Sequence, residues 1–287
     1  MYPPTFDYTR AATVEEAVDL MGKGTGKLLA GGHSLLPVMK MRLADPGTLI
    51  DIGRIDGLRG VERNGDVFRI GALTTHAMVA AEADAALPAG LREAAGMIGD
   101  PQVRNRGTVG GNVAHADPAS DLPIVLAALG ATFHATGPGG SRSIAAADFF
   151  TGLFETALGD DELLTSVDVP AEAANAGSAY AKMFNPASRY AVVGACANVA
   201  VGADGTCTSC TVAVGGLTAN AVVVGAVGAA MAGKPMTAEN VELAAQAAAD
   251  DLGQDVMGDM HASAEYRRRM LPVFVGRALS AAASRAG

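Results

Sequence analysis

Two glycine pairs, Gly31-Gly32 and Gly110-Gly111, constrain this chain more than any other feature of it. The first follows Lys27 to Ala30, which reads as a buried strand, and precedes Ser34 to Met39, which reads as a helical turn. The second lies within Thr108 to Asn112, with Asp121 nine residues further on. A glycine pair lets successive backbone amides converge on one anion with no side chain in the way. Ser34, Thr108 and Asn112 place hydroxyl and amide groups beside the pairs. A charge-assisted amide bond to a phosphate oxygen contributes about 1.5–3 kcal/mol, so two such loops can hold a pyrophosphate without Arg or Lys. Two ordinary turns would leave the same pattern.

Charge and composition narrow the partners. Thirty acidic against 21 basic side chains give a net charge of -9, which repels nucleic acid and anionic membrane surfaces. Hydrophobic residues make up 49% of the chain, but alanine dominates them, and with 36 Gly and no Trp the core is packed from small residues. The three cysteines, Cys196, Cys207 and Cys210, are too few and clustered for a disulfide framework. The N-terminus lacks the charged and apolar regions of a secretion signal, so a cytoplasmic protein is expected. The apolar stretch Ala221 to Gly233 falls short of the roughly 20 residues that a membrane-spanning helix needs.

The pattern divides the chain at 1–57, 58–175 and 176–287. In the first part, Thr13-Val14-Glu15-Glu16 is a capping box that starts a helix running to Met21, and Thr48 to Ile52 is a second strand. In the second, Gly60 to Glu62 and Val67 to Ile70 flank an Asn64-Gly65 hairpin turn. Helical stretches at Thr75 to Ala85 and Pro88 to Met97 precede the glycine-rich segment Arg106 to Asp121; Leu122 to Leu129 follows as a helix, then Ala131 to Thr136 and Glu162 to Pro170 as strands. In the third, three strands, Tyr180 to Phe184, Tyr190 to Val201 and Thr206 to Val214, precede helices at Thr237 to Asp250 and Ala264 to Ser284.

Several apparent motifs fail on spacing. Gly22 to Lys27 has one residue too few for a nucleotide-binding P-loop and leads into a strand instead of a helix. Cys207-Thr208-Ser209-Cys210 has no second pair, and strand alternation would put its sulfurs on opposite faces. Gly32-His33-Ser34-Leu35-Leu36 lacks the closing glycine of a nucleophile elbow. The five histidines include no pair at helical ligand spacing, so no metal site is expected, and no catalytic acid–base set emerges. Arg267-Arg268-Arg269 would point in three directions on a helix, which suits a solvated face or a subunit contact.

Taken in order, the pieces resemble a known family. Pro4-Thr5-Phe6-Asp7-Tyr8, the first glycine loop with Leu35-Leu36-Pro37, Asp100 to Asn112, Asp117 to Pro123, Glu162-Leu163-Leu164 and Ala264 to Arg267 are similar to the FAD-binding medium subunits of the molybdenum hydroxylases. The resemblance is greatest to the aerobic carbon monoxide dehydrogenase branch. It implies an α+β, vanillyl-alcohol-oxidase-type fold in which 1–57 and 58–175 are two FAD-binding subdomains and 176–287 is a C-terminal domain of antiparallel sheet and helices. It implies that Ala30, Gly31, Gly32, His33, Ser34 and Leu35, with Thr108, Gly110, Gly111 and Asn112, surround a non-covalent FAD pyrophosphate. By the same resemblance Asp121 meets a flavin hydroxyl, Leu164 and Lys182 are further cofactor contacts, and Tyr190 covers the isoalloxazine ring. Ile98 stands where some relatives place an aromatic against the cofactor. The family's molybdopterin and two [2Fe-2S] clusters belong to a large and a small partner subunit, assembled as a dimer of heterotrimers. Carbon monoxide is the first expectation for the primary substrate, a heterocycle or aldehyde the second, and a stand-alone flavin oxidoreductase the third.

Overall fold

A computed structural model describes residues 2–24 and 26–286; Met1, in the segment read for a secretion signal, and Thr25, in the rejected P-loop segment, lie outside them. The chain opens with β1 (Asp7–Arg10), α1 (Val14–Met21), β2 (Gly26–Leu29), α2 (Leu35–Lys40) and β3 (Thr48–Asp51), whose strands form a parallel sheet in the order β1-β3-β2. Thr13 caps α1, its hydroxyl accepting from the Glu16 amide at 3.1 Å. The Glu16 carboxylate accepts from the Ala12 amide at 2.7 Å and not from Thr13, a one-residue departure from the expected box. Ala17, Val18 and Met21 of α1 pack on Ile50 and on Leu163 of the next unit, joining the two.

The second unit contains β4 (Val61–Asn64), β5 (Val67–Gly71), α3 (His76–Ala80), α4 (Ala89–Met97), α5 (Pro101–Arg104), α6 (Val109–His115) and α7 (Asp121–Ala128). It continues through β6 (Thr132–Gly137), β7 (Gly140–Ala145), α8 (Ala146–Phe149), β8 (Phe150–Gly152), β9 (Glu155–Thr156) and β10 (Leu163–Pro170). Five strands make an antiparallel sheet in the order β4-β5-β10-β6-β7. Asn64 pairs with Val67, so the hairpin turn is Gly65-Asp66, one residue later than expected, and Gly65 alone carries the positive φ, at 65°. The helix expected over Thr75 to Ala85 stops at Ala80, because Glu82 and Asp84 side chains accept from the amides of Ala83, Asp84 and Ala86 and bend the chain. Phe133 stacks on Phe149 at 3.9 Å between centroids, and α7 is buried along nearly its whole length.

The third unit is an antiparallel sheet of β11 (Ala176–Phe184), β12 (Ala191–Val201), β13 (Cys207–Gly215) and β14 (Val222–Val223), followed by α9 (Gly225–Met231), α10 (Ala238–Gln246), a 3-10 turn at Ala247–Leu252 and α11 (Ala264–Ala283). Both sheet faces are covered. Tyr180, Cys196 and Ala213 enter the core of the second unit, whereas Val193, Ala195, Ala197 and Val212 meet α9, α10 and α11. This sheet therefore locks the second unit to the third.

Two sequence expectations fail here for identifiable reasons. A register shift pairs Val201 with Cys207 but Ala200 with Ser209, so Thr208 is an extra residue. The bulge reverses the alternation and brings the Cys207 and Cys210 thiols into contact on one face, not opposite ones. Of the arginine run, Arg267 is buried, donating to the Gly216 carbonyl and Asp259, so only Arg268 and Arg269 are solvated. Among the described residues no three metal-ligating side chains gather, and no helix is long and apolar enough to cross a membrane.

Candidate functional site

The parallel sheet delivers the chain from β2 directly into Ala30–Ser34. Among the described residues, the amides of Gly31, Gly32, His33 and Ser34 donate to no acceptor, since the strand ends at Leu29 and the helix begins at Leu35. Gly32 has φ 74°, a left-handed geometry that turns successive amides toward one side. A Cβ on Gly31 would overlap the Arg106 carbonyl, so this glycine is required by the approach of the second segment. His33 is exposed, its Nδ1 lying 3.3 Å from the Gly31 carbonyl oxygen. Leu35 opens α2 immediately behind the loop.

The second segment is not a loop. Thr108 is the N-cap of α6, its hydroxyl accepting from the Gly111 amide at 3.1 Å, and Val109 to Asn112 form the first helical turn. The Val109 amide donates to the Thr74 carbonyl at 2.9 Å, Gly110 to Ala72 at 2.8 Å and Asn112 to Thr108 at 3.0 Å. A Cβ on Gly110 would stand 2.5 Å from the Ala72 Cβ, so that glycine packs in the interior. Gly111 is exposed, and an added Cβ there would stand 3.9 Å from the Ala30 Cβ. The fold thus brings the two glycine segments together, Gly111 facing Ala30 across a narrow gap.

Asn112 continues this surface toward the third unit. Its Oδ1 accepts from the Ser120 hydroxyl at 2.9 Å, which leaves Nδ2 free to donate, and Ser120 is the N-cap of α7. Asp121 follows, buried, accepting from the Tyr180 hydroxyl at 2.6 Å and from the Lys182 ammonium at 2.9 Å. Lys182 Nζ also donates to the Met97 carbonyl at 3.2 Å and the Arg189 carbonyl at 2.7 Å. Burial raises the Asp121 carboxyl and lowers the Lys182 ammonium, while the attraction of each for the other opposes both effects. Ile98 follows Met97 at the end of α4, half-buried against the core. Tyr190 stands half-exposed at the start of β12, and burial of its hydroxyl, with Asp117 and Asp121 nearby, pushes it up to about 12. It is a neutral phenol at any working pH. Leu164 sits in β10 with its side chain in the core.

Sequence reasoning missed three contributors. His76, at the start of α3, is buried with its ring against Gly107 and its Nδ1 unpartnered; burial, then the charges of His33 and Arg104, lowers it to about 4. Arg189 has φ 62°, unusual for a residue with a side chain. The Met97 carbonyl is a main-chain group and leaves no mark in sequence. A single histidine ahead of an apolar run, His76-Ala77-Met78-Val79, was the one available signal among the three.

The donor set suits a doubly charged anion carrying an extended organic body. Four amides without a described acceptor are available as donors, and Asn112, Ser120 and Asp121 run from the neighbouring segment toward Tyr190. The model of the FAD binding domain in molybdopterin dehydrogenase matches residues 4–172, and that of the CO dehydrogenase flavoprotein C-terminal domain matches residues 178–282. The carbon monoxide dehydrogenase medium chain of Hydrogenophaga pseudoflava is 40% identical, with 99% of both chains covered. The 6-hydroxypseudooxynicotine dehydrogenase complex subunit alpha of Paenarthrobacter nicotinovorans is 35% identical, covering 100% of this chain and 97% of its own. In the solved carbon monoxide dehydrogenase from Hydrogenophaga pseudoflava lacking the Mo-pyranopterin moiety, a chain superposes with a TM-score of 0.93 at 40% identity over 99% of both chains.

Proposed function

The chain belongs to the flavoprotein family of the molybdopterin dehydrogenases, and from that membership we propose that it holds one FAD as the electron-transfer subunit of a heteromeric molybdenum hydroxylase. The observation that carries the proposal is the row of unpartnered amides from Gly31 to Ser34, set against Gly111. When bound, FAD supplies redox chemistry that accepts electrons from iron–sulfur partners and releases them to an external acceptor.

The chain's own residues bind, orient and exclude water. The Gly31–Ser34 amides donate to the pyrophosphate, and the free Nδ2 of Asn112 adds a donor beside it. Thr108 and Gly110 act one step back, holding α6 so that Gly111 leaves the approach open. Asp121 keeps lone pairs for a flavin hydroxyl, while Ile98 and Leu164 belong to the apolar surroundings. Tyr190, neutral and half-exposed, covers the ring system and limits solvent access. His33 is a polar neighbour and not an attachment point. No side chain here is required to act as acid or base on the primary substrate.

The partners are an iron–sulfur small subunit and a molybdopterin large subunit, assembled as a dimer of heterotrimers in the cytoplasm. Carbon monoxide is the first substrate choice, supported by the 40% identical relative over the full chain. A heterocycle or an aldehyde is the second, and the 6-hydroxypseudooxynicotine dehydrogenase relative of comparable span supports the heterocycle. The test is purification of the native complex, followed by acid precipitation, flavin identification and anaerobic addition of each substrate class. The expected result is one FAD per chain, released into the supernatant, and bleached only when the partner subunits are present. FMN, colour retained in the pellet, or bleaching by substrate with this chain alone would each overturn part of the proposal.

A further inference from the structure

We propose that Lys182 is a positioning residue: it holds the carbonyl of Arg189 against Asp121 and the end of α4, and so sets where the Tyr190 ring stands. The inference rests on the reading that Tyr190 covers the flavin, and it assigns Lys182 a role other than direct cofactor contact.

The geometry begins with a full inventory of donors. The Lys182 side chain is wholly buried, and its three ammonium hydrogens are matched by the Asp121 carboxylate at 2.9 Å, the Met97 carbonyl at 3.2 Å and the Arg189 carbonyl at 2.7 Å. None remains for a ligand. Asp121 is fixed in turn by Lys182 and by the Tyr180 hydroxyl, two donors that leave part of its acceptor capacity unused.

The second half of the argument is backbone strain. Arg189 adopts φ 62°, a region disfavoured for a residue with a Cβ, and such a geometry persists only when its surroundings hold it. Four contacts do so. Its amide donates to the Asn185 carbonyl at 2.8 Å, its guanidinium lies 5.1 Å from the Phe184 ring centroid and donates to the Met97 carbonyl at 3.5 Å, and its carbonyl accepts from Lys182. The peptide plane between Arg189 and Tyr190 is held at its carbonyl by Lys182 at 2.7 Å and at its amide by a longer bond to the Ser188 hydroxyl, at 3.3 Å. On the far side of Tyr190, the Ala191 amide is already tied to the Ala119 carbonyl at 3.0 Å, next to Ser120 and Asp121. The Tyr190 carbonyl accepts from the Asn185 amide at 2.8 Å, which closes the turn on itself, while Lys182 on one side and Ala191 on the other tie that turn to the N-terminal end of α7. Met97, the remaining partner, precedes Ile98. One buried ammonium thus ties together the three elements that carry Ile98, Asp121 and Tyr190.

The experiment is a double-mutant cycle in the assembled complex, with Lys182→Met, Tyr190→Ala and the pair, reading both FAD content and the reoxidation rate of reduced flavin by ferricyanide. Each single variant should raise reoxidation about tenfold, the scale of losing one charge-assisted hydrogen bond, and the pair should show no more than either alone. FAD content should stay at the parent level in Lys182→Met. Multiplying effects in the pair, or equal FAD loss from Lys182→Met with and without Tyr190, would overturn the proposal in favour of direct contact. An unchanged rate in Lys182→Met beside a raised rate in Tyr190→Ala would overturn it as well. An unchanged rate in Tyr190→Ala would instead sink the reading that this ring covers the flavin. Should Lys182→Met fail to assemble, because it leaves the Asp121 carboxylate buried without its cation, Asp121→Asn/Lys182→Met removes both charges and carries the same rate expectation.

Discussion

Ala30–Ser34 and Thr108–Asn112 carry the same glycine pair, but four amides of the first donate to no described acceptor, while those of Val109 to Asn112 are bonded to Thr74, Ala72 and Thr108. The glycines differ in the same sense. Gly32 is needed for its positive φ, which shapes the amide row, whereas Gly110 is needed because Ala72 leaves no space for a side chain. Identical dipeptides therefore serve binding in one place and packing in the other. What separates them is tertiary context: the first follows a strand end with no neighbour to accept its amides, and the second is threaded past the carbonyls that follow β5.

The largest test of this comparison is Gly31→Ala against Gly111→Ala. A methyl on Gly31 meets the Arg106 carbonyl, so the segments must part, at a cost of about 3 kcal/mol or more and with FAD content below a tenth of the parent. On Gly111 the methyl crowds the Thr108 hydroxyl, at 2.8 Å, and reaches the Ala30 Cβ at an ordinary 3.9 Å, so the stability loss should be about 1 kcal/mol. Urea unfolding and flavin extraction on both variants check this. Equal losses would mean that the segments do not meet as described.

Next in size is a pH effect from His76, which lies under Gly107 and so reports on the second segment. Its folded value is about 4 against an ordinary 6.5, so as pH falls the unfolded chain takes up the proton first. The stability it contributes is intact above pH 6.5 and is lost as pH falls toward about 4, with about 2 kcal/mol gone at pH 5. His76→Gln should lack this slope, so the parent and variant urea midpoints should converge between pH 7 and 5. A constant gap between them would show that His76 titrates normally.

Much of the fold was legible because it rests on local signals: the Thr13 cap, the strand read at Tyr180 to Phe184, which begins earlier, at Ala176, and the glycine turns. The helical start at Thr108 was not, since adjacent glycines each cost about 1 kcal/mol in a helix and the Ala72 and Thr74 carbonyls that hold them lie far back in the chain. The contact of Cys207 with Cys210 was hidden by a bulge, which reverses side-chain parity without any change of residue type. At the site, the residues of the amide row could be read from composition and order. The partners of Lys182 could not, because Asp121 is 61 positions away and the Met97 carbonyl 85, and main-chain acceptors are invisible in sequence.

The smallest expected effect is the sharpest on the comparison, because Ser34 and Thr108 occupy the same position, the residue before a helix, in the two segments. Thr108 accepts from the Gly111 amide and caps α6, so Thr108→Val should cost about 1 kcal/mol in stability. Ser34 precedes α2 without any side-chain cap bond, so Ser34→Ala should change stability by less than about 0.5 kcal/mol. If its hydroxyl serves the anion instead, the same substitution should lower FAD affinity by about tenfold, as loss of one hydrogen bond to a charged group allows. Urea midpoints give the first pair of numbers, and FAD retained after dialysis of the complex gives the second. A Ser34→Ala variant that lost stability but kept its FAD would make the first segment structural like the second, and the division of labour between the two glycine pairs would collapse.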